Sequence, residues 1–336
     1  MTTSRPLGPL TRRELFTLPR RQGGEEAGHW VRVHRQAMAC RFEIMLAEED
    51  AAHVAAARQA LDEADRIEDA LSVFRESSEV MRVNREGAVG PVAVSQTLFT
   101  LLRRCQGLHA DVEGAFDPTS TPLSRTWGFL ARAGRLPGAE DIAAALSLVG
   151  LDKVELNPEE RTVRFPLSGM SLNFGGIGKG YALDRMVERL RARGVPRALL
   201  SAGGSSVLAF GGGPGFRVNV RSPLTTAVIA RLRIQEAALG TSGAGEQYFE
   251  TGGRRYGHVL DPRTGWPVSG VLSASAAAPS AADADALSTA FLVGGPGLAE
   301  RYCAAHPGTL AVLVLEAEPA RPLLFGGCEG LRLEEP

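Results

Sequence analysis

Apolar residues recur along the chain at two spacings, and these separate its helices from its strands. Between Glu49 and Leu71 they fall three and four positions apart, at Val54, Ala57, Leu61, Ala64, Ile67 and Leu71. That is the stripe of an amphipathic helix. Ser95–Ala110 repeats it, with Leu98, Leu101, Leu102, Cys105 and Leu108 on one side. Further helices are predicted over Glu140–Leu148, Gly180–Arg193, Asp283–Val293 and Gly297–His306. Alternating patterns predict one or two strands within Val31–Leu46, and others at Ala198–Leu208, Phe216–Val220, Ile229–Ile234 and Leu310–Leu315. Hairpins are predicted across Asn157-Pro158 within Val154–Phe165, and across Thr251-Gly252-Gly253 between Tyr248–Glu250 and Arg254–Leu260. Helices gather early and strands late, without regular βαβ alternation, so the pattern favours an α+β fold over a doubly wound sheet. No repeat or linker forces a domain cut. The expectation is one domain over residues 30–336 behind a polar, poorly ordered tail at 1–29.

Composition narrows the function classes. Lys and Arg total 37 against 38 Asp and Glu, a formal net charge of −1. Overall charge therefore gives no reason to bind nucleic acid. Glycine, at 39 of 336 residues, falls in clusters without a period, which excludes collagen and suggests loops that approach a ligand. Cys40, Cys105, Cys303 and Cys328 are far apart, which argues against a zinc site, a redox pair or a disulfide scaffold. No integral membrane segment is predicted, because the uncharged stretches Ala198–Phe216 and Thr264–Ala282 are broken by Gly, Pro and Ser. Thr11-Arg12-Arg13-Glu14-Leu15-Phe16 has the look of a twin-arginine signal, but the apolar run such a signal needs does not follow. Without that run or a lipidation motif, the sequence favours a cytoplasmic location.

Three segments offer chemistry. Asn173-Phe174-Gly175-Gly176-Ile177-Gly178-Lys179-Gly180 is a glycine-rich run ahead of a helix, suited to phosphate by its backbone N–H groups and its lysine. It fits neither the Walker A pattern nor the dinucleotide fingerprint, and a plain turn with a surface lysine is an equal reading. Asp285 and Thr289 lie four apart on a helix, so their oxygens share a face and suit a hard cation such as Mg2+. The alternative is that Asp283 or Asp285 caps the helix. His258 precedes the turn Asp261-Pro262-Arg263-Thr264-Gly265 and is a general base or a structural histidine.

Seven segments occur in a telling order. They are Met38-Ala39-Cys40-Arg41-Phe42, Leu71-Ser72-Val73-Phe74 with Ser78-Glu79-Val80 and Asn84, Gly114-Ala115-Phe116-Asp117-Pro118-Thr119 with Trp127-Gly128-Phe129, then 175–184, Thr241-Ser242-Gly243, 258–265 and 285–289. Over about residues 31–315 the chain resembles the ApbE family, the FAD:protein FMN transferases. The resemblance implies a single-domain α+β fold with mixed or antiparallel sheets flanked by helices. It implies FAD as substrate, transfer of the FMN half to a threonine (or serine) hydroxyl of an acceptor protein, and release of AMP. The flavin dinucleotide would lie near Met38, Phe74, Ala115, Phe116 and Asp117, with His258 and Val259 beside it. Asn173 and Lys179 would line the diphosphate. Mg2+ would be held by Asp285, Thr289 and the Gly176 carbonyl, and His258 would activate the acceptor hydroxyl. The chain departs from the family at Asn173, where Asp is usual, at Met38-Ala39-Cys40 for Met-Gly-Thr, and at Phe74 for Tyr or Trp. Two other functions fit the same residues: an Mg2+-dependent FAD pyrophosphatase giving FMN and AMP, and a non-catalytic FAD-binding protein. Many relatives are exported lipoproteins, which leaves a periplasmic, membrane-associated location open.

Overall fold

The computed structural model describes residues 16–17, 29–225, 227–245 and 247–334. Its centre is an eight-stranded sheet of β1 (Trp30–Ala37), β2 (Cys40–Ala47), β3 (Arg197–Ala202), β4 (Ser206–Gly211), β5 (Ala237–Gly243), β6 (Val271–Ala278), β7 (Leu310–Leu315) and β8 (Leu323–Gly326). The strands lie side by side in chain order and every neighbouring pair is antiparallel. The α+β expectation is met: helices enter as long excursions between consecutive antiparallel strands.

Period-two alternation buries both faces of this sheet. In β2, Ile44 and Leu46 enter one core cluster and Met45 the other, and in β3 Leu200 and Leu199 divide in the same way. The first cluster is shared with helices α1 (Val54–Leu71), α2 (Gln96–Asp111), α3 (Gly178–Ala192) and α4 (Ala281–Ala305). The second faces a small antiparallel sheet built from Phe16–Thr17, Phe216–Arg221, Val228–Ile234 and Leu331–Glu334. A smaller third cluster joins Leu123, Trp127, Phe129 and Ile142 to Tyr256 and Leu260, and seats the hairpin of Tyr248–Thr251 with Arg254–Gly257.

Several elements differ from the sequence expectation. The span Ala198–Leu208 is two strands, because Gly203 (φ 62°) and Gly204 (φ 68°) turn the chain back between β3 and β4. The two predicted late helices are segments of α4, interrupted at Gly295 (φ 67°) ahead of Pro296. The hairpin strand expected to reach Leu260 ends at Gly257, which places His258 beyond it. Most of the expected tail, residues 1–15 and 18–28, lies outside the described residues, as does the arginine pair within it. Phe16–Thr17, however, is paired onto the strand Phe216–Arg221. All the cysteines are free and buried. Among the described residues no helix is long and apolar enough to cross a membrane.

Candidate active site

The N-termini of α3 and α4 meet, and each is closed by a carboxylate from the other helix. Asp184 of α3 accepts the N–H groups of Ala281 (2.8 Å) and Ala282 (3.0 Å) and the Ser280 hydroxyl (2.7 Å). Asp285 of α4 accepts the Gly180 N–H at 2.8 Å. Helix N-termini carry unpaired N–H groups and partial positive charge, so the exchange satisfies both ends. Burial nevertheless pushes the Asp184 carboxyl above its ordinary range, against these hydrogen bonds. The approach requires glycine at 180, since a Cβ there would lie 1.9 Å from the Ala281 carbonyl oxygen.

This arrangement distinguishes the two candidate aspartates. Asp283 accepts both Arg104 guanidinium bonds at 2.6 Å and faces α2. The cap of α4 is Ser280, so neither aspartate has that role. Asp285 is buried, at 4% exposure, and has no arginine partner among the described residues. Its Oδ1 accepts the Ser206 hydroxyl at 2.5 Å, and its Oδ2 lies 3.9 Å from Lys179 Nζ. A buried carboxylate is costly unless its charge is matched. Here one ammonium, one hydroxyl and a helix N-terminus share that task.

Thr289 follows one turn later on the same face. Its hydroxyl lies 3.1 Å from Ser242 Oγ on β5. Gly240 admits β5 this close to α4, because a Cβ there would strike the Ala284 carbonyl oxygen at 2.5 Å. Gly176 comes in from the glycine-rich loop: a Cβ placed on it would stand 3.4 Å from Thr289 Oγ1 and 3.3 Å from the Phe116 ring edge. Asn173 shapes this loop, accepting the Gly175 N–H at 2.9 Å while its own N–H donates to Pro118 at 2.8 Å. Met38 completes the wall, its Cε 3.0 Å from the Cβ position of Gly178. It is held there by a turn in which Met38 (φ 50°) and Ala39 (φ 55°) are both left-handed. Thus Asp285, Thr289, Gly176, Lys179, Phe116 and Met38 come together.

Other expected site residues stand differently. Phe116 is buried, so its ring is a wall and not an open stacking face. Ala115 is buried beside it, and Asp117 is buried with its carboxylate accepting Thr119 N–H, Thr119 Oγ1 and Leu151 N–H. Asp117 therefore ties two loops together from within. Phe74 is 80% exposed on the loop after α1. Val259 is half-buried and its carbonyl accepts the Val268 N–H.

His258 sits just past the hairpin, half-buried, with its N–H and its Nδ1 both directed at the Gln247 carbonyl oxygen, at 2.9 and 3.1 Å. A hydrogen bond from Nδ1 to a carbonyl requires the proton on Nδ1, which puts the basic lone pair on Nε2. Two contacts link this corner to the oxygen cluster. A Cβ on Gly257 would lie 3.1 Å from the Ala244 carbonyl oxygen, just past the strand that presents Ser242 to Thr289. The Arg263 side chain, held by Asp261 at 2.9 and 2.8 Å, packs 3.6 Å from the Cβ position of Gly114, next to Ala115 and Phe116.

Sequence reasoning did not single out Ser206 or Asp184. Ser206 has a faint signal, a hydroxyl pair Ser205-Ser206 directly after the Gly203-Gly204 turn.

The donor set is all oxygen: one carboxylate, one hydroxyl and the backbone of Gly176. Among the described residues no three His, Cys, Asp or Glu side chains cluster as a metal cage would need. Such a sparse set suits Mg2+, which takes the rest of its octahedron from phosphate and water, and does not suit zinc or a calcium cage.

The ApbE family model matches residues 38–314, a span that encloses every residue of this cluster. The chain belongs to the ApbE family of enzymes. A FAD:protein FMN transferase of Klebsiella pneumoniae (strain 342) is 34% identical to it over 243 residues, 71% of this chain and 75% of that protein. The FAD:protein FMN transferase of Escherichia coli (strain K12) is 31% identical over 235 residues, 67% of each chain. Among solved structures, an ApbE protein from Thermotoga maritima matches with a TM-score of 0.81 at 29% identity, covering 88% of this chain and 97% of that one. The apo form of the Pseudomonas stutzeri flavinyl transferase ApbE matches with a TM-score of 0.77 at 28% identity, covering 88% and 94%. This ApbE-family chain shares their fold along nearly the whole length of the solved chains.

Proposed function

We propose that this enzyme moves the FMN half of FAD onto a threonine (or serine) hydroxyl of an acceptor protein and releases AMP. The observation that carries the reading is the meeting of Asp285, Thr289, Gly176 and Lys179 at the N-terminus of α3. In the reaction the acceptor Oγ bonds to the FMN phosphorus while the bond from that phosphorus to the bridging oxygen breaks. The bridging oxygen leaves with AMP, and the Oγ proton passes to His258 Nε2. Mg2+, held by Asp285, Thr289 and the Gly176 carbonyl, would draw charge off the diphosphate oxygens. Lys179 adds a cation beside the leaving phosphate, and the dipole of α3 adds partial positive charge at its N-terminus. Asn173 holds the loop in shape by accepting the Gly175 N–H. His258 is oriented by Gln247, so its basic nitrogen is fixed before the acceptor arrives.

The test is incubation with FAD, Mg2+ and a threonine-bearing acceptor, followed by mass analysis of the acceptor. Covalent FMN on the acceptor and AMP in solution support the reading. Equal release of free FMN and AMP with and without acceptor would make the enzyme a pyrophosphatase. Tight FAD retention without turnover would make it a flavin-binding protein.

A further inference from the structure

We propose that the acceptor protein docks on the Tyr248–Gly257 hairpin and the adjoining 129–135 loop, through an extended segment that carries carboxylates beside its threonine. The proposal rests on the transferase reading and names the surface that reading needs.

Position is the first argument. The hairpin runs directly into His258, and the Phe129 ring bridges the two, 5.7 Å from Phe249 and 6.5 Å from the His258 ring. A segment lying here meets the proposed base.

Charge is the second. Arg132, Arg135 and Arg254 are exposed, and none of them has a carboxylate partner among the described residues. Some arginines elsewhere are matched, as Arg104 is by Asp283, Arg301 by Glu113 and Arg197 by Glu49 and Asp50. Others, such as Arg58, Arg103 and Arg193, are exposed without a carboxylate among the described residues. What marks this region is that three unmatched arginines gather on one hairpin and its adjoining loop. Only Arg255 in this region is offset, by Glu250 at 3.0 Å. The whole chain carries −1, so the local excess is not a reflection of a basic protein. Close packing of Phe249 against Gly134 holds the loop arginines beside the hairpin.

The third argument is preorganisation. Arg254 Cζ lies 5.3 Å over the Tyr256 ring and Arg255 Cζ 4.0 Å over Tyr248. Stacked guanidiniums lose less freedom on binding, and their N–H edges suit carboxylates in pairs. Tyr248 and Trp266 are 39% and 42% exposed. Tyr, Trp and Arg together are the residues that carry energy at interfaces. The hairpin is also a two-stranded sheet by itself, so among the described residues each strand has an edge unpaired by a third. An extended segment can add there.

The experiment uses the FAD-loaded enzyme and two labelled peptides, one with a single threonine flanked by aspartates, the other with asparagines in their place. Fluorescence anisotropy should give about tenfold tighter binding for the aspartate peptide at low salt. In Arg254→Glu and Arg132→Glu that preference should vanish, with FAD affinity and melting temperature unchanged. Equal affinity for the two peptides, or a preference that survives both substitutions, overturns the docking surface. Transfer is read separately. A preferred peptide that gains no FMN upholds docking and counts against the transferase reading. A peptide that gains FMN with the same KM in the arginine variants upholds the transferase reading and overturns docking.

Discussion

Gly180→Ala probes the joint on which the site is built. The new Cβ would lie 1.9 Å from the Ala281 carbonyl oxygen, 2.4 Å from its carbon and 2.8 Å from Ala282 N. All three atoms are backbone, so no side chain can swing aside, and the α3 and α4 N-termini must separate by more than an ångström. Overpacking of this kind costs about 1–3 kcal/mol. The same movement stretches the 2.8 Å bond from Gly180 N–H to Asp285 beyond hydrogen-bonding range. Losing a hydrogen bond to a charged group adds about 1.5–3 kcal/mol. A total of about 2.5–6 kcal/mol corresponds, at roughly 2 °C per kcal/mol for a chain this large, to a melting temperature lower by about 5–12 °C. Gly107→Ala is the control: it lies within α2 with no atom within 4 Å of its Cβ position. That substitution should stabilise by up to about 1 kcal/mol through helix propensity. Differential scanning calorimetry of the two variants checks both signs. A melting temperature for Gly180→Ala within about 2 °C of wild type would refute the close approach of the two helices.

Further predictions follow from single contacts. His258→Gln should retain FAD binding and lose at least about a hundredfold in transfer rate, as removal of a general base does; loss of FAD affinity instead would make His258 a binding residue. Ala39→Gly relieves about 1–2 kcal/mol of left-handed strain at φ 55°, less about 0.4–1 kcal/mol for the freer unfolded chain. The net gain of up to about 1.6 kcal/mol should raise the urea midpoint without changing the slope, and a lowered midpoint would contradict it. For Asp184, burial raises the folded carboxyl above its ordinary 3.8, so the folded state holds the proton more tightly than the unfolded chain. Its contribution is complete below that ordinary value and is lost as pH rises through the folded one. The stability of wild type relative to Asp184→Asn, followed by urea titration, should therefore fall across that window. A relative stability that rises would mean that the three hydrogen bonds outweigh burial.

How much of this was readable beforehand depended on residue type. The helices over α1 and α2 were legible because bulky apolar residues recur on one side of each. The central strand β5 was not, and β6 was legible only as core strand and loop somewhere within Thr264–Ala282, because Ala-Ala-Leu-Gly-Thr-Ser-Gly and Val-Leu-Ser-Ala-Ser-Ala-Ala-Ala lack the β-branched alternation that bounds a strand. Their residues are small for a packing reason that sequence does not display: α4 lies nearly on the backbone of Gly240. The late motif paired Asp285 with Thr289 by spacing and left Asp283 or Asp285 as a helix cap. What separates them is Arg104, distant in sequence, which takes Asp283 and leaves Asp285 to the glycine loop. Asp117 looked like a ligand-facing carboxylate, yet its partners Thr119 and Leu151 are backbone and hydroxyl donors from two loops that only the fold brings together. Gly176 and Thr289, far apart in the chain, were expected to meet, and they do.

The central claim is that Asp285, Thr289 and Gly176 hold a cation on the diphosphate of FAD. A crystal of the protein with FAD and Mn2+ in place of Mg2+, measured at the manganese absorption edge, tests it directly. The account predicts an anomalous peak in bonding contact with an Asp285 carboxylate oxygen, Thr289 Oγ1, the Gly176 carbonyl and a diphosphate oxygen. A peak elsewhere, or FAD bound with its diphosphate remote from α4, would contradict it.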